Sequence, residues 1–362
     1  MEKKIIVAAF FPIYPITFGS SVVISSFFEG ISIKNKVLFQ ISDNTSLKDK
    51  KIVSVSTLYQ NKLFKLLSVI ILILKVIKEL FIGQPKKILI IEGASWIGYA
   101  FLLVLITNII FPSVIIIYRG HSIEYEIRKK NSNFLISTLS YYFEKYVYKN
   151  TKYSTSVSSI EQNKIKNLYG VKTIIFPNVI NLINKKKINL KLKYKYIFYS
   201  GSYKYLPNKI VVDRLVNNIM PKLLIKFPNL KLVLTGTEKL PYKSKWIKNL
   251  GLVSKIKYIE LLKNSICLAV PSKEGYGTRV KIIEALCHGT VVVSSKIGIE
   301  GIQFDKNVKP PFNCESDKNF VETIIKVMKN KKYKKIAKKN SINLIKYYSA
   351  SYQNSIFFSK II

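Results

Sequence analysis

The stretch EGYGTRVKIIEALCHGTVVVSS, Glu274 to Ser295, sets a few charged side chains in a run of small and apolar ones. Gly275 and Gly277 flank Tyr276, Thr278 follows, Arg279 and Lys281 come next, and Glu284 sits among apolar residues. With Thr278 as N-cap, the pattern predicts a helix from Arg279 to His288 that ends at Gly289. The unpaired N–H groups and partial positive charge of such a helix start make an anion site, and glycines let a phosphate approach the backbone. Arg279 and Lys281 would add cationic donors beside it. Lys281, Glu284 and His288 share one narrow polar stripe, which has two readings. It is either a solvated strip with Lys281 paired to Glu284, or Glu284 accepts hydrogen bonds from both hydroxyls of a nucleotide ribose. Each charge-assisted bond of the second kind is worth about 1.5–3 kcal/mol.

Such a loop must be carried by a strand. SICLAVPS precedes it as a strand and KEGYGT is the loop that follows. The same alternation runs through the chain. Strands are expected at Lys4–Phe10, Lys36–Ile41, Ile88–Glu92, Val114–Tyr118, Tyr153–Val157 and Thr173–Phe176. After a lysine-rich break at Asn178–Lys195 they resume at Tyr196–Tyr199, Lys231–Leu234, Ile266–Val270 and Val291–Ser294. Strands alternating with helices predict an α/β fold of parallel sheets covered on both faces. The 362 residues exceed what a single core usually holds. The expected division is residues 1–178, a linker at 179–195, a second doubly wound domain at 196–340, and a C-terminal helix within 341–362 that crosses back to the first domain. Ligands of doubly wound sheets bind at the carboxyl ends of the strands, so two facing domains would place a ligand in a central cleft.

The uncharged run Trp96–Tyr118 is long enough for a membrane span, but Pro112 splits it into a helix-length piece and the β-branched SVIIIY, as for a buried helix feeding a buried strand. Leu66–Ile82 carries Lys75, Lys78 and Glu79 and reads as an amphipathic helix whose stripe packs inward or touches lipid. The apolar run after Met1 is short and broken by prolines, and reads as a first strand rather than a signal peptide. Cys267, Cys287 and Cys314 lack metal-type spacing, and two histidines are few for a structural zinc site.

The formal net charge of +39 would suit nucleic acid, an anionic membrane or acidic substrates. The lysines are dispersed rather than blocked, which favours a composition bias. No specific nucleic-acid signature accompanies them, and anionic headgroups fit the charge at least as well.

The segment PSKEGYGTRVKIIEALCHGTVVVSSKIGIEGI resembles the donor-site signature of group 1 (family four) glycosyltransferases, in the variant with Gly-Thr-Arg-x-Lys before the helical Glu-Ala. FYSGSYKYLPNKIVVDRLVNNIMPKLLIKFPNLKLVLTG resembles the opening of that family's donor domain, FPNVI its interdomain segment, YRGHSIEYEIRKK its acceptor-domain His-x-x-Glu stretch, and YPITFGSS its first glycine loop. The resemblance implies the GT-B fold, a nucleotide-sugar donor in the C-terminal domain, an acceptor in the N-terminal one, and net retention at the anomeric carbon. By its motifs Glu284 would hold the ribose, and Arg279 and Lys281 the diphosphate. Gly275, Tyr276, Gly277 and Thr278 would form the donor loop, with Gly201 and Gly19 in the two glycine turns. Glu274 would contact the donor sugar, although more residues separate it from Glu284 than in the commoner family pattern. His121 would face the transferred sugar or the incoming hydroxyl; its structural alternative is a loop histidine ordering the turn after its strand.

The resulting expectation is a cytoplasmic, membrane-peripheral glycosyltransferase that moves a sugar from a UDP- or GDP-sugar to a glycan or lipid-linked acceptor in cell-surface polysaccharide synthesis. No metal and no cofactor beyond the donor are expected, and no specific nucleic-acid partner. A GT-B sugar-nucleotide epimerase and a non-catalytic basic protein binding nucleic acid or anionic lipid are the alternatives. Glycosyl transfer needs charge stabilisation on the departing diphosphate, which fixed cations and a helix start can supply.

Overall fold

The computed structural model describes every residue except 1–2, 17–18, 44–48, 58–61, 84–85, 182–191, 237–238, 276, 305–307 and 362. Most of the expected linker, Thr17 and Phe18 of the YPITFGSS glycine loop and Tyr276 of the donor loop therefore lie outside the described residues. The chain forms two compact units, residues 1–181 with 350–362, and residues 182–349.

The first unit is built as β1 (Lys3–Ala9), α1 (Gly19–Glu29), β2 (Lys36–Ile41), β3 (Ile52–Val55), α2 (Lys62–Phe81), β4 (Lys86–Gly93), α3 (Ile97–Ile110), β5 (Ile115–Gly120), α4 (Glu124–Asn131), α5 (Phe134–Asn150), β6 (Tyr153–Ser156), α6 (Ser159–Tyr169) and β7 (Ile174–Ile175). Its strands are parallel in the order β3-β2-β1-β4-β5-β6-β7, so the direction of winding reverses between β1 and β4. Each central strand is apolar on both faces, as burial on both sides requires. Alternate residues serve different cores. Ile6, Ala8, Leu89, Ile91 and Ile116 pack under α2, α3, α5 and α6, while Ile5, Val7, Ile88, Ile90 and Ile117 pack on the other side. The uncharged run around Pro112 divides as its composition predicts: α3 stops at Ile110, and β5 starts at Ile115.

The second unit comprises β8 (Tyr196–Ser200), α7 (Leu206–Arg214), a π-turn (Leu215–Ile219), α8 (Met220–Lys226), β9 (Lys231–Thr235), β10 (Ile247–Asn249), α9 (Lys255–Asn264), β11 (Leu268–Val270), α10 (Val280–Cys287), β12 (Val292–Ser294), α11 (Lys296–Ile299), β13 (Phe312–Asn313), α12 (Asp317–Lys329) and α13 (Lys332–Tyr348). Its parallel order, β10-β9-β8-β11-β12-β13, has the same reversal, now between β8 and β11. The π-turn precedes Pro221, which lacks the N–H needed to continue the helical bonding.

The last helix, α14 (Ala350–Ile361), returns to the first unit, where Ala350, Phe357 and Ile361 join the core beside α1. Asn354 Nδ2 donates to Phe27 O at 2.8 Å, fixing the register of this packing. The return falls at Ala350 rather than at 341, because α13 continues to Tyr348 and lies against α10 within the second unit.

Candidate active site

The reversal in the second unit places Gly201, just past β8, next to the loop that follows β11. A Cβ on Gly201 would meet the Asn208 side chain at 2.7 Å, and one on Gly236 would meet the Gly201 backbone at 3.2 Å. The carboxyl edge of this sheet is therefore held open by small residues.

Helix α10 begins one residue later than expected. Thr278 is not the N-cap: Arg279 is, with an extended backbone (φ −85°, ψ 103°) and no side-chain cap. Its carbonyl accepts from Ile282 N at 2.9 Å and Ile283 N at 3.3 Å, so the helical bonding starts at Arg279. Gly277 (φ 65°) and Gly275 (φ 139°) turn the loop through conformations that side chains resist, which leaves Thr278 outside the helix. The far end closes in a Schellman arrangement. Gly289 N donates to Leu286 O and Thr290 N to Ala285 O, with Gly289 at φ 68°. Without a capping side chain, the start of α10 keeps N–H groups available to an anion.

The Arg279 guanidinium folds back along the loop, donating to Gly277 O and Glu274 O, both at 3.2 Å. A Cβ on Gly275 would sit 2.4 Å from its Nη2. Glu274 is exposed and supplies its backbone carbonyl to this clasp.

Lys281 and Glu284 do not pair; they turn to opposite neighbours. The Lys281 ammonium donates to Asn208 Oδ1 at 2.9 Å and Tyr199 Oη at 3.0 Å, and lies 4.4 Å from the Tyr199 ring centre. The residue keeps some exposure along its stem, but the ammonium is enclosed, and burial followed by repulsion from Arg279 pushes its pKa down to about 7. Tyr199 Oη in turn donates to Asn208 Oδ1, and Asn208 Nδ2 to Ser202 O. Glu284, buried, accepts from Lys255 Nζ and from Tyr258 Oη at 3.1 Å. A carboxylate offers about four lone-pair sites, so two acceptor positions are left for a diol. His288 is the C-cap; burial and the nearby Lys263 and Lys255 pull its pKa down to about 4, so it is neutral and gives the helix end no cation near pH 7.

Arg214 anchors the loop's root. Its guanidinium donates to Pro271 O and Glu315 O, both at 3.0 Å, and pairs with Asp317. Asn208, Lys255, Tyr258 and Arg214 were not among the expected site residues. Asn208 had a signal, the Leu-Pro-Asn after a glycine-ended strand; the spacing of Lys255 and Tyr258 on one face of α9 was the only other.

In the first unit, His121 follows β5 and Gly19, exposed, opens α1, both at the carboxyl edge of that sheet. His121 Nε2 lies 2.6 Å from Glu92 Oε2, while Arg119 Nη1 donates to Glu92 Oε1 at 2.5 Å. Glu92 is fully buried. Burial works to raise its pKa, but Arg119 and His121 outweigh that and hold it below the usual carboxylate range. The Arg119 guanidinium stacks on Phe27, 3.6 Å from the ring centre. Glu92 and Arg119 were missed, each reading as the polar end of an apolar strand. Glu124, the last residue of His-x-x-Glu, turns instead to Arg128, and its N–H donates to Glu144 Oε1.

Two doubly wound units with glycine-rich turns at their strand ends define the GT-B class of fold. Residues 194–330 match the family model described as glycosyl transferases group 1. A comparison with curated proteins finds no match. Among solved structures, sucrose-phosphate synthase from Thermosynechococcus elongatus superposes with a TM-score of 0.74 at 12% identity, over 100% of this chain and 99% of that one. HepE of Anabaena, in complex with UDP and glucose, gives 0.71 at 12%, over 99% of each chain. TarM of S. aureus, in complex with fondaparinux, α-GlcNAc-glycerol and UDP, gives 0.61 at 13%, over 80% of this chain and 58% of that one. Likeness at these identities concerns the fold.

Proposed function

We propose that the chain transfers a sugar, with retention, from a nucleoside diphosphate sugar to a glycan or lipid-linked acceptor. The observation that carries this is the meeting of four features at the winding reversal of one sheet. They are a glycine loop, an uncapped helix start, two cations on that start, and a buried carboxylate farther along the same helix with acceptor capacity to spare. In this reading the helix start and Arg279 take the diphosphate, Lys281 completes its neutralisation, and Glu284 accepts from the ribose hydroxyls. The bond from the anomeric carbon to the diphosphate oxygen breaks, its electron pair leaves with the diphosphate, and the acceptor oxygen bonds to the carbon as its proton passes to an oxygen of the departing diphosphate. Fixed cations stabilise the charge that develops on the leaving group. Glu274, in this reading, faces the donor sugar.

The acceptor falls to the first unit. With Nε2 turned to Glu92, the His121 ring presents Nδ1 to a hydroxyl, and Glu92 holds the ring in place. UDP is the nucleotide favoured by analogy, since HepE and TarM are both described in complex with it. A role in cell-surface polysaccharide synthesis, on the inner face of a membrane, fits a lipid-linked acceptor and the strong positive charge.

The test is a thermal-shift panel of UDP-, GDP-, CMP- and dTDP-sugars on wild type and Glu284→Ala. Stabilisation by one nucleotide class, lost in the variant, is expected; no shift with any of them, alongside tight polyanion binding, sinks the reading.

A further inference from the structure

Helix α2 is apolar on two opposite faces. Val69, Leu72, Ile73, Val76 and Leu80 point into the core of the first unit. At 100° per residue, the opposite side carries Leu63, Phe64, Leu67, Ile70, Ile71, Leu74, Phe81 and Ile82, every one exposed, with Leu74 at 62% and Phe81 at 66%. A surface helix normally turns charged residues outward; here Lys78 alone breaks the apolar side. The patch continues onto neighbouring elements. Phe81 packs edge-on against Phe111 just past α3, where Ile109 and Ile110 are also exposed. Contiguous exposed apolar surface on this scale marks an interaction site.

The surrounding charge and the lack of polar groups select the occupant. Lys65, Lys75 and Lys78 lie on α2. The acidic residues of this layer are engaged: Glu79 with Lys4, Glu126 with Lys164 and Glu124 with Arg128. A second copy would bring the same positive charge against this face, in a chain with 59 basic and 20 acidic residues. A protein partner would call for about one hydrogen bond per 100–200 Å², and the outward face of α2 offers hydrocarbon with almost nothing to bond. An anionic bilayer satisfies both features, taking the aliphatic side chains into its acyl boundary and the lysines among its headgroups.

We infer that the outward face of α2, extended by the end of α3, is a docking surface for an anionic lipid leaflet. The helix lies along the surface rather than through it. Its 20 residues span about 30 Å end to end, and among the described residues no helix is long and apolar enough to cross a membrane. This inference supplies the membrane contact that the proposed lipid-linked acceptor needs and rests on that reading for its purpose, not for its geometry.

Sedimentation of the full chain with phosphatidylcholine vesicles, with and without phosphatidylglycerol, tests it in the absence of any sugar nucleotide. A failure here is therefore separate from a failure of the donor site. Binding to the anionic vesicles is expected, with partition reduced about tenfold or more by Leu67→Glu/Ile71→Glu/Leu74→Glu. A second readout uses Leu74→Cys bearing an environment-sensitive dye, which is selective because Cys267, Cys287 and Cys314 are buried. Its emission should shift to the blue on anionic vesicles. The inference is overturned by absence of anionic binding, by binding that survives the triple variant with the dye unmoved, or by a dimer that the triple variant dissolves.

Discussion

The ammonium of Lys281 rests 2.9 Å from the carboxamide oxygen of Asn208, and its described hydrogen-bond partners are neutral. A buried cation held only by dipoles gives up its proton easily, and a diphosphate arriving beside it would restore that proton. If the proposed function holds, the charge of this lysine follows whether a diphosphate is bound.

Donor affinity is expected to fall as pH rises above about 7, where Lys281 of the free protein becomes neutral. Calorimetry at pH 8 in buffers of differing ionisation heat should record proton uptake on binding. For the unliganded protein the sign is opposite. The folded pKa lies below the unfolded value of 10.5, so between about 7 and 10.5 the unfolded chain holds more protons and stability rises with pH. Lys281→Met should lose both the proton uptake and this slope; a variant that retains them refutes the assignment.

Tyr258→Phe leaves Glu284 with Lys255 as its protein donor. The lost bond to a charged acceptor is worth about 1.5–3 kcal/mol, and the carboxylate should lose its fixed orientation. Nucleotide affinity is expected to drop while inhibition by inorganic pyrophosphate stays unchanged, since only the nucleotide has a ribose. Equal losses for both ligands would place Tyr258 in general stability instead.

Gly275→Ala introduces a Cβ where the Arg279 guanidinium now lies, at a backbone angle that costs about 1–3 kcal/mol for other residues. Arg279 must leave its seat on Gly277 O and Glu274 O. Turnover should fall sharply, and the melting temperature should fall by the several degrees that such strain implies. Titration of UDP by the variant provides the check.

Glu92→Gln breaks a buried charge pair and is expected to cost about 3–5 kcal/mol. Adding Arg119→Leu removes the stranded cation and should return part of that stability. Neither variant should recover full transfer, because His121 has lost its carboxylate, and donor-induced thermal shifts should remain in both. Normal turnover in the double variant would show that Glu92 serves the fold alone.

The central strands could be read from their β-branched runs, since burial on both faces demands continuous apolar sequence. Ile52–Val55, Ile247–Asn249 and Phe312–Asn313 were not anticipated. They lie toward the sheet edges, where strands are short and only partly buried, so their composition carries little signal. The polar stripe of α10 was visible, but its division was not: whether Lys281 faces Glu284 or Asn208 depends on where β8 and α9 pack. Glu92 and Arg119 are 27 positions apart and become neighbours only through the register of β4 on β5, which pairs them directly. Thr278 shows the reverse error. A good capping residue was overruled by the glycine before it, whose turn moved the helix start to Arg279.

The return of α14 imposes an order on synthesis. Domains generally fold as they emerge, the earlier one first. Here the earlier unit lacks Ala350, Phe357 and Ile361 of its core until synthesis has passed the whole second unit, which is a continuous segment. On the ribosome the second unit is therefore in a position to mature first, while the one begun earlier waits with its α1 surface uncovered. A chain stalled or cleaved near residue 349 would carry a finished second unit and an unfinished first one, a natural target for chaperones or proteases.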